Sequence, residues 1–347
     1  MAMKKPVFLL LIVSGLISCS NKDGGPDVSG IKVTLVVSRF DEAFFGMDTT
    51  NIDKSIQVLN RNYPQFLQPF LQTIVGVNDA AGIKTFFRLH KTIFDSAQKK
   101  FKNFEPVKKD LENAFRHVKF YFPSYKLPTQ IIPIVGPMNS IDDMAKMTNG
   151  DYNPDFVGPD FLGISLQFYL GKDFPFYNAD YFINNVAPLY RSRRFDSEYI
   201  TADAMKVISD DLFPDKSNTM SLIDQMIEKG KRWWLIDKFL PDTPDSVKTG
   251  YTQKQLQWCE ENEGLIWSYI IKNEDLHTIN PVTIQTYIGE APFTQGFSQE
   301  YSPGNIGSWI GWQIVKRFAT NNAALTPAEL MAAPAKQILE EAKYKPK

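Results

Sequence analysis

SPGNIGSWIGWQIV, residues Ser302–Val315, sets three glycines in an apolar, aromatic run. Spaced as Gly-x-Gly-x-x-Gly they would open a dinucleotide-binding βαβ unit and make the chain an α/β protein. Gly304, Gly307 and Gly311 stand three and four apart instead. That is the repeat of one helix face, where small residues let a second backbone come close, so the stretch predicts helix packing rather than phosphate binding.

Working outward, the neighbouring segments also read as helices. Downstream, Thr326-Pro327-Ala328-Glu329 is a helix start with proline at the first helical position. Upstream, Thr252 followed three residues later by Gln255 is a capping box opening a helix expected to run through Ile271. Met220–Phe239, ended by Pro241, and Asp196–Phe213, with Ile200, Met205, Ile208 and Leu212 on one face, continue the pattern. Further back the period changes. Gln130–Val135 (QIIPIV) and Phe161–Leu170 (FLGISLQFYL) read as strands separated by the Gly/Pro/Asp-rich residues 149–160, with Pro133 placing the first at an edge or irregularity. Residues 51–121 are helical in spacing and are punctuated by Pro64, Gly76, Pro106 and Pro123; Ile31–Val37 is a β-branched strand candidate. The expected fold is α+β and helix-dominated, a small sheet with a large helical C-terminal part. No stretch inside 31–347 is long or polar enough to force a cut, so it is expected to be a single domain.

Residues 1–18 read as a secretory signal: Lys4 and Lys5 precede an apolar core from Pro6 to Ile17, too short to span a bilayer. It ends in Leu16-Ile17-Ser18-Cys19, the pattern of a bacterial lipobox, in which the cysteine thiol carries diacylglycerol. An ordinary signal peptide with a chance cysteine is the alternative. Residues 19–30 are polar and Gly-rich, a flexible tether. Loss of Lys4 and Lys5 leaves the mature chain two charges more negative than the full chain's −1. With 38 basic and 39 acidic residues there is no basic excess for nucleic acid.

Three histidines and two cysteines exclude zinc fingers and disulfide scaffolds. His90, His117 and His277 are isolated, so no helix offers an HExxH pair, and no metal site or catalytic residue is expected. Cys259 reads as a buried structural thiol. Asp142-Asp143, Asp210-Asp211 and Glu260-Glu261 with Glu263 read as solvated helix faces or ends, not cation ligands. All six tryptophans lie in the last third. Core packing is their default; Trp233, Trp234, Trp309 and Trp312 are the candidates for an exposed binding platform.

Together these residues resemble the gliding motility-associated lipoprotein family GldB. The resemblance rests on the lipobox at Cys19, Arg39-Phe40-Asp41, Tyr63-Pro64-x-Phe66-x-x-x-Phe70, Phe161-Leu162-Gly163, and Tyr169-Leu170-Gly171-Lys172-Asp173. Tyr199-Ile200 with Asp203 and Met205, and the run Ser302–Val315, complete it over essentially the whole mature chain. It implies an envelope lipoprotein required for gliding in bacteria whose motility is linked to a protein-secretion machine. More distantly, the order of elements resembles zincin-type proteases. There a helix bearing HExxH and a downstream glutamate hold zinc; here Tyr199–Phe213 has no histidine and Glu228 alone could match the downstream ligand. This implies a zincin-like scaffold without its metal site, retained for binding or assembly.

The expectation is a non-enzymatic, lipid-anchored protein facing the periplasm and contacting envelope proteins of the gliding and secretion machinery. No cofactor is expected beyond the lipid on Cys19. Ser20 carries no acidic retention cue, which favours the outer membrane over the inner. The alternatives are a glycan-binding lipoprotein using the C-terminal aromatics and a divergent hydrolase.

Overall fold

The computed structural model describes residues 25–139 and 153–346. The signal segment, Cys19, the first part of the tether and Asp142-Asp143 lie outside the described residues. The architecture is α+β and helix-dominated, with one four-stranded mixed sheet.

The sheet runs β1 (Val36–Val37), β2 (Gln130–Ile134), β4 (Phe161–Ser165), β3 (Phe156–Val157) across its width. β1–β2 and β2–β4 are parallel and β3–β4 is antiparallel. Ile131, Ile132, Ile134, Leu162 and Ile164 are all buried. Parallel strands covered on both faces read as unbroken apolar runs, which is why QIIPIV and FLGIS were recognisable. Pro133 nevertheless sits in an inner strand. The carbonyls of Thr129 and Ile131 accept from β1 and its flank, at Val36 and Ser38. Pro133 shares their parity, so its missing N–H falls on that side, just past the end of β1.

Three strand expectations are corrected. β1 begins only at Val36, because β2 offers it no partner before Gln130; the Leu35 N–H donates to Glu112 Oε1 instead. The strand expected to reach Leu170 stops at Ser165, and Leu166–Phe168 turn as a 3₁₀ helix. β3 lies inside the Gly/Pro/Asp-rich stretch read as a separator.

Before the sheet, helices Phe40–Phe45, Ile52–Asn62, Ala80–Lys100 and Glu105–Tyr121 pack around an aromatic knot. Phe40 meets the edges of Phe66 and Phe70, each at 4.8 Å between ring centres. Beside Phe40, Arg39 grips the fully buried Asp41 with two bonds of 2.9 and 2.6 Å and donates to the Phe101 carbonyl. The opening Arg-Phe-Asp triplet thus fastens the first helix to the end of helix 80–100.

After the sheet come helices Ile200–Leu212, Leu222–Phe239, Gln253–Glu261, Glu263–Asn273, Pro281–Ile288, Ile306–Asn321, Pro327–Ala332 and Ala335–Ala342. Both capping boxes form, at Thr252 with Gln255 and at Thr326 with Glu329. The helix expected to continue to Ile271 breaks at Asn262, whose side-chain amide donates to the Trp258 carbonyl and competes with the backbone for it.

Helix 306–321 is buried nearly all round and crosses helix 222–239 at glycines from both. A Cβ on Gly311 would overlap the Met226 carbonyl, and one on Gly230 would overlap the Gly311 carbonyl. The small-residue spacing of Ser302–Val315 therefore does what its period predicts: two helix backbones touch.

Candidate functional site

Just before its helix, the same stretch turns polar. Asn305 takes a left-handed conformation (φ 44°), one that asparagine tolerates better than most residues. Its Oδ1 accepts from the buried Tyr251 hydroxyl at 2.7 Å. Gly250, also left-handed (φ 75°), ends the short helix Asp245–Thr249 and offers its carbonyl to Arg193 Nη2 at 2.9 Å. Gln255 ties the parts together: its Oε1 accepts from Thr252 N and Arg193, and its Nε2 donates to the Ser302 carbonyl.

Between these groups lies a cavity of about 30 Å³, walled by Tyr190, Arg193, Arg194, Tyr251, Glu290 and Asn305 among others. Glu290 accepts two bonds from Arg194, at 2.9 and 2.8 Å, and one from Arg191 at 3.3 Å. Burial alone would raise its carboxyl, but the two guanidiniums hold it below the usual value. Arg193 differs. Among the described residues it forms no ion pair, and its acceptors are the neutral Gly250 carbonyl and Gln255 amide. Burial and the adjacent Arg194 push its guanidinium down.

A second polar group stands at the end of the sheet. Ser165, the last residue of β4, donates its N–H to Asp155 Oδ1, and the Tyr169 hydroxyl donates to Asp155 Oδ2 at 2.8 Å. Asp203, on helix 200–212, lies 3.3 Å from that hydroxyl and is paired with Lys206 at 2.9 Å. Burial, with the Asp203 charge adding to it, raises Asp155 well above the carboxylate range. Tyr169, Asp203, Pro303, Gly304 and Asn305 all belong to the stretches that carried the family resemblance. The first two stand in this polar group and the last three in the cavity wall, and the two sets feel each other through charge, Asp203 acting on Arg194 and Lys206 on Glu290.

The residues singled out as candidates lie elsewhere. Trp309 and Trp312 are 2% exposed and Trp234 is 7% exposed, so these three are core residues rather than a platform; Trp233 is half-buried against Trp312 and Tyr251. The Trp312 indole donates to Asp237 at 2.9 Å. Glu228 is bound to the buried Lys231 at 2.6 Å. Cys259 is fully buried, and burial pushes its thiol up. Asp210 pairs with Arg232, Asp211 accepts from Tyr125, Glu261 from Gln257 and Glu263 from Tyr344. Among the described residues no group of three His, Cys, Asp or Glu is gathered as for a cation. No helix among them is long and apolar enough to cross a membrane.

Arg191, Arg193, Arg194 and Glu290 were not singled out from sequence. The available signal was Arg-Ser-Arg-Arg inside a largely aromatic segment, but nothing local pointed to Glu290.

A family model described as gliding motility protein GldB matches residues 21–346. No curated protein and no solved structure matches the chain.

Proposed function

This chain belongs to the GldB family of gliding motility proteins, and from that premise we propose that it supports gliding by holding other envelope proteins, without turnover of its own. Membership makes it a gliding motility lipoprotein of the cell envelope. In the finer reading the anchor is the acylated Cys19, the favoured location is the periplasmic face of the outer membrane, and the contacts are with the gliding and secretion machinery. Acyl chains on one cysteine anchor stably, at about 0.8 kcal/mol per buried CH₂.

The observation that carries the non-catalytic reading is the state of the carboxylates. Glu290 is clamped by two arginines, Asp203 by Lys206 and Glu228 by Lys231. A general base needs a carboxylate able to take a proton from water, and each of these three is already held by a cation.

The test is turnover. The purified full chain, with and without added zinc, is expected to leave casein and peptide substrates uncut. Cleavage abolished by Glu228→Ala would overturn the reading. Separately, Cys19→Ala is expected to lose the acyl label and leave the membrane fraction; membrane retention without label would contradict the anchor.

A further inference from the structure

We propose that the cavity beside Arg193 is a carboxylate-binding site, with Arg193 as the group that recognises it. The proposal goes beyond the gliding role and does not depend on it.

The three neighbouring arginines differ in their partners. Arg191 and Arg194 share Glu290, while Arg193, half-buried beside them, has only neutral partners. In a cavity walled by Pro292, Pro303 and two tyrosines, this guanidinium has no directly bonded counter-charge among the described residues; Glu290 acts on it only through space and is already held by Arg191 and Arg194. An anion entering the cavity would supply that counter-charge.

Arg193 is also held in one orientation. Gly250 and Gln255 both accept from Nη2, which fixes the plane of the Arg193 guanidinium and, among the described residues, leaves Nη1 and Nε without an acceptor. Asn305 has its Oδ1 engaged by Tyr251, so the donor it offers is Nδ2. Guanidinium and amide donors held by a rigid turn suit a planar two-oxygen acceptor.

Size points the same way. One water-sized atom needs about 10–15 Å³ of such space. A cavity of about 30 Å³ holds two, matching the two oxygens of a carboxylate. Phosphate and sulfate, tetrahedral with four oxygens, match a flat guanidinium and this space less well than a planar carboxylate does. The carboxylate has two possible sources: a small organic acid, or the C-terminus of another protein chain.

The experiment is a thermal-shift titration of the full acylated chain in detergent, at constant ionic strength, with sodium acetate, sodium sulfate, tri-alanine and tri-alanine amide. A ligand that binds only the folded chain raises its melting temperature saturably. Acetate is expected to do so, with Arg193→Gln weakening the apparent affinity about tenfold or more and Arg193→Lys, which keeps the charge but not the fork, weakening it less. Tri-alanine binding about tenfold tighter than acetate, lost in the amide, would assign the carboxylate to a chain end. Acetate binding without that gain would assign it to a small acid. An unchanged acetate response in Arg193→Gln, sulfate binding as tightly as acetate, or no saturable response to acetate or tri-alanine would overturn the proposal. Should Arg193→Gln not fold, Arg193→Lys decides: affinity equal to that of the unaltered chain would overturn it.

Discussion

Ser302–Val315 builds two regions of opposite character. Its helical half forms a dry seam in which Gly311 and Gly230 bring two helix backbones into contact. Pro303, Gly304 and Asn305, before the helix, line a polar cavity held by Tyr251, Gln255 and the arginine turn. In the seam, energy comes from close approach and has no substitute, since a side chain has nowhere to go. In the cavity, position comes from hydrogen bonds and ion pairs, some of which tolerate removal. Side chains around the cavity therefore have room to change, while the seam glycines have none.

The largest effect is expected in the seam. Gly311→Val drives a branched side chain into the Met226 carbonyl and should cost about 3 kcal/mol or more, read as a loss of cooperative thermal unfolding. A near-normal melt would break the comparison, because the backbones could then not be in contact.

Glu290→Gln tests the cavity. It leaves Arg191 and Arg194 without their shared carboxylate, and because these side chains keep 11–19% exposure the cost should be nearer 2 kcal/mol by urea denaturation. Folding lowers the Glu290 carboxyl, so its contribution is present above the ordinary value of 4.5 and fades as pH falls through the lowered one. The variant should lack that part of the acid-side loss.

Asp155 slopes the other way. Folding raises its carboxyl, so the folded chain keeps a proton that the unfolded chain releases above pH 3.8. Its contribution is full below that pH and is lost as pH climbs through the raised value. Asp155→Asn keeps an acceptor for Ser165 and should flatten this decline in melts taken across pH 4–8. An unaltered slope would remove Asp155 as its source.

The smallest effect is expected for Arg193→Gln. It relieves a guanidinium crowded by Arg194 and removes bonds to neutral groups only, so stability should stay within about 0.5 kcal/mol in the same denaturation assay. A cost like that of Glu290→Gln would make Arg193 a structural member and erase the contrast within the cavity.

Much of the fold was legible because its signals are local. QIIPIV and FLGIS carry the apolar continuity of buried parallel strands, the two capping boxes carry their own chemistry, and the glycine spacing announced a close helix contact. Its partner did not announce itself, since nothing near Gly230 says that Gly311 faces it. β3 was missed because two residues in a turn-rich stretch have no period. The tryptophans show the limit of composition: aromatic density is the same whether Trp309 and Trp312 fill a core or line a surface. For the cavity, Arg194 and Glu290 stand 96 residues apart, and their pairing exists only once the helices are assembled.

In the proposed function the chain works by contact while anchored in the envelope. Affinity capture of the full chain from intact, cross-linked envelopes of gliding cells tests it most directly. Proteins of the gliding and secretion machinery are expected to be recovered with the unaltered chain and lost with Cys19→Ala. Recovery of none with the unaltered chain, alongside peptide turnover by the purified protein, would contradict it.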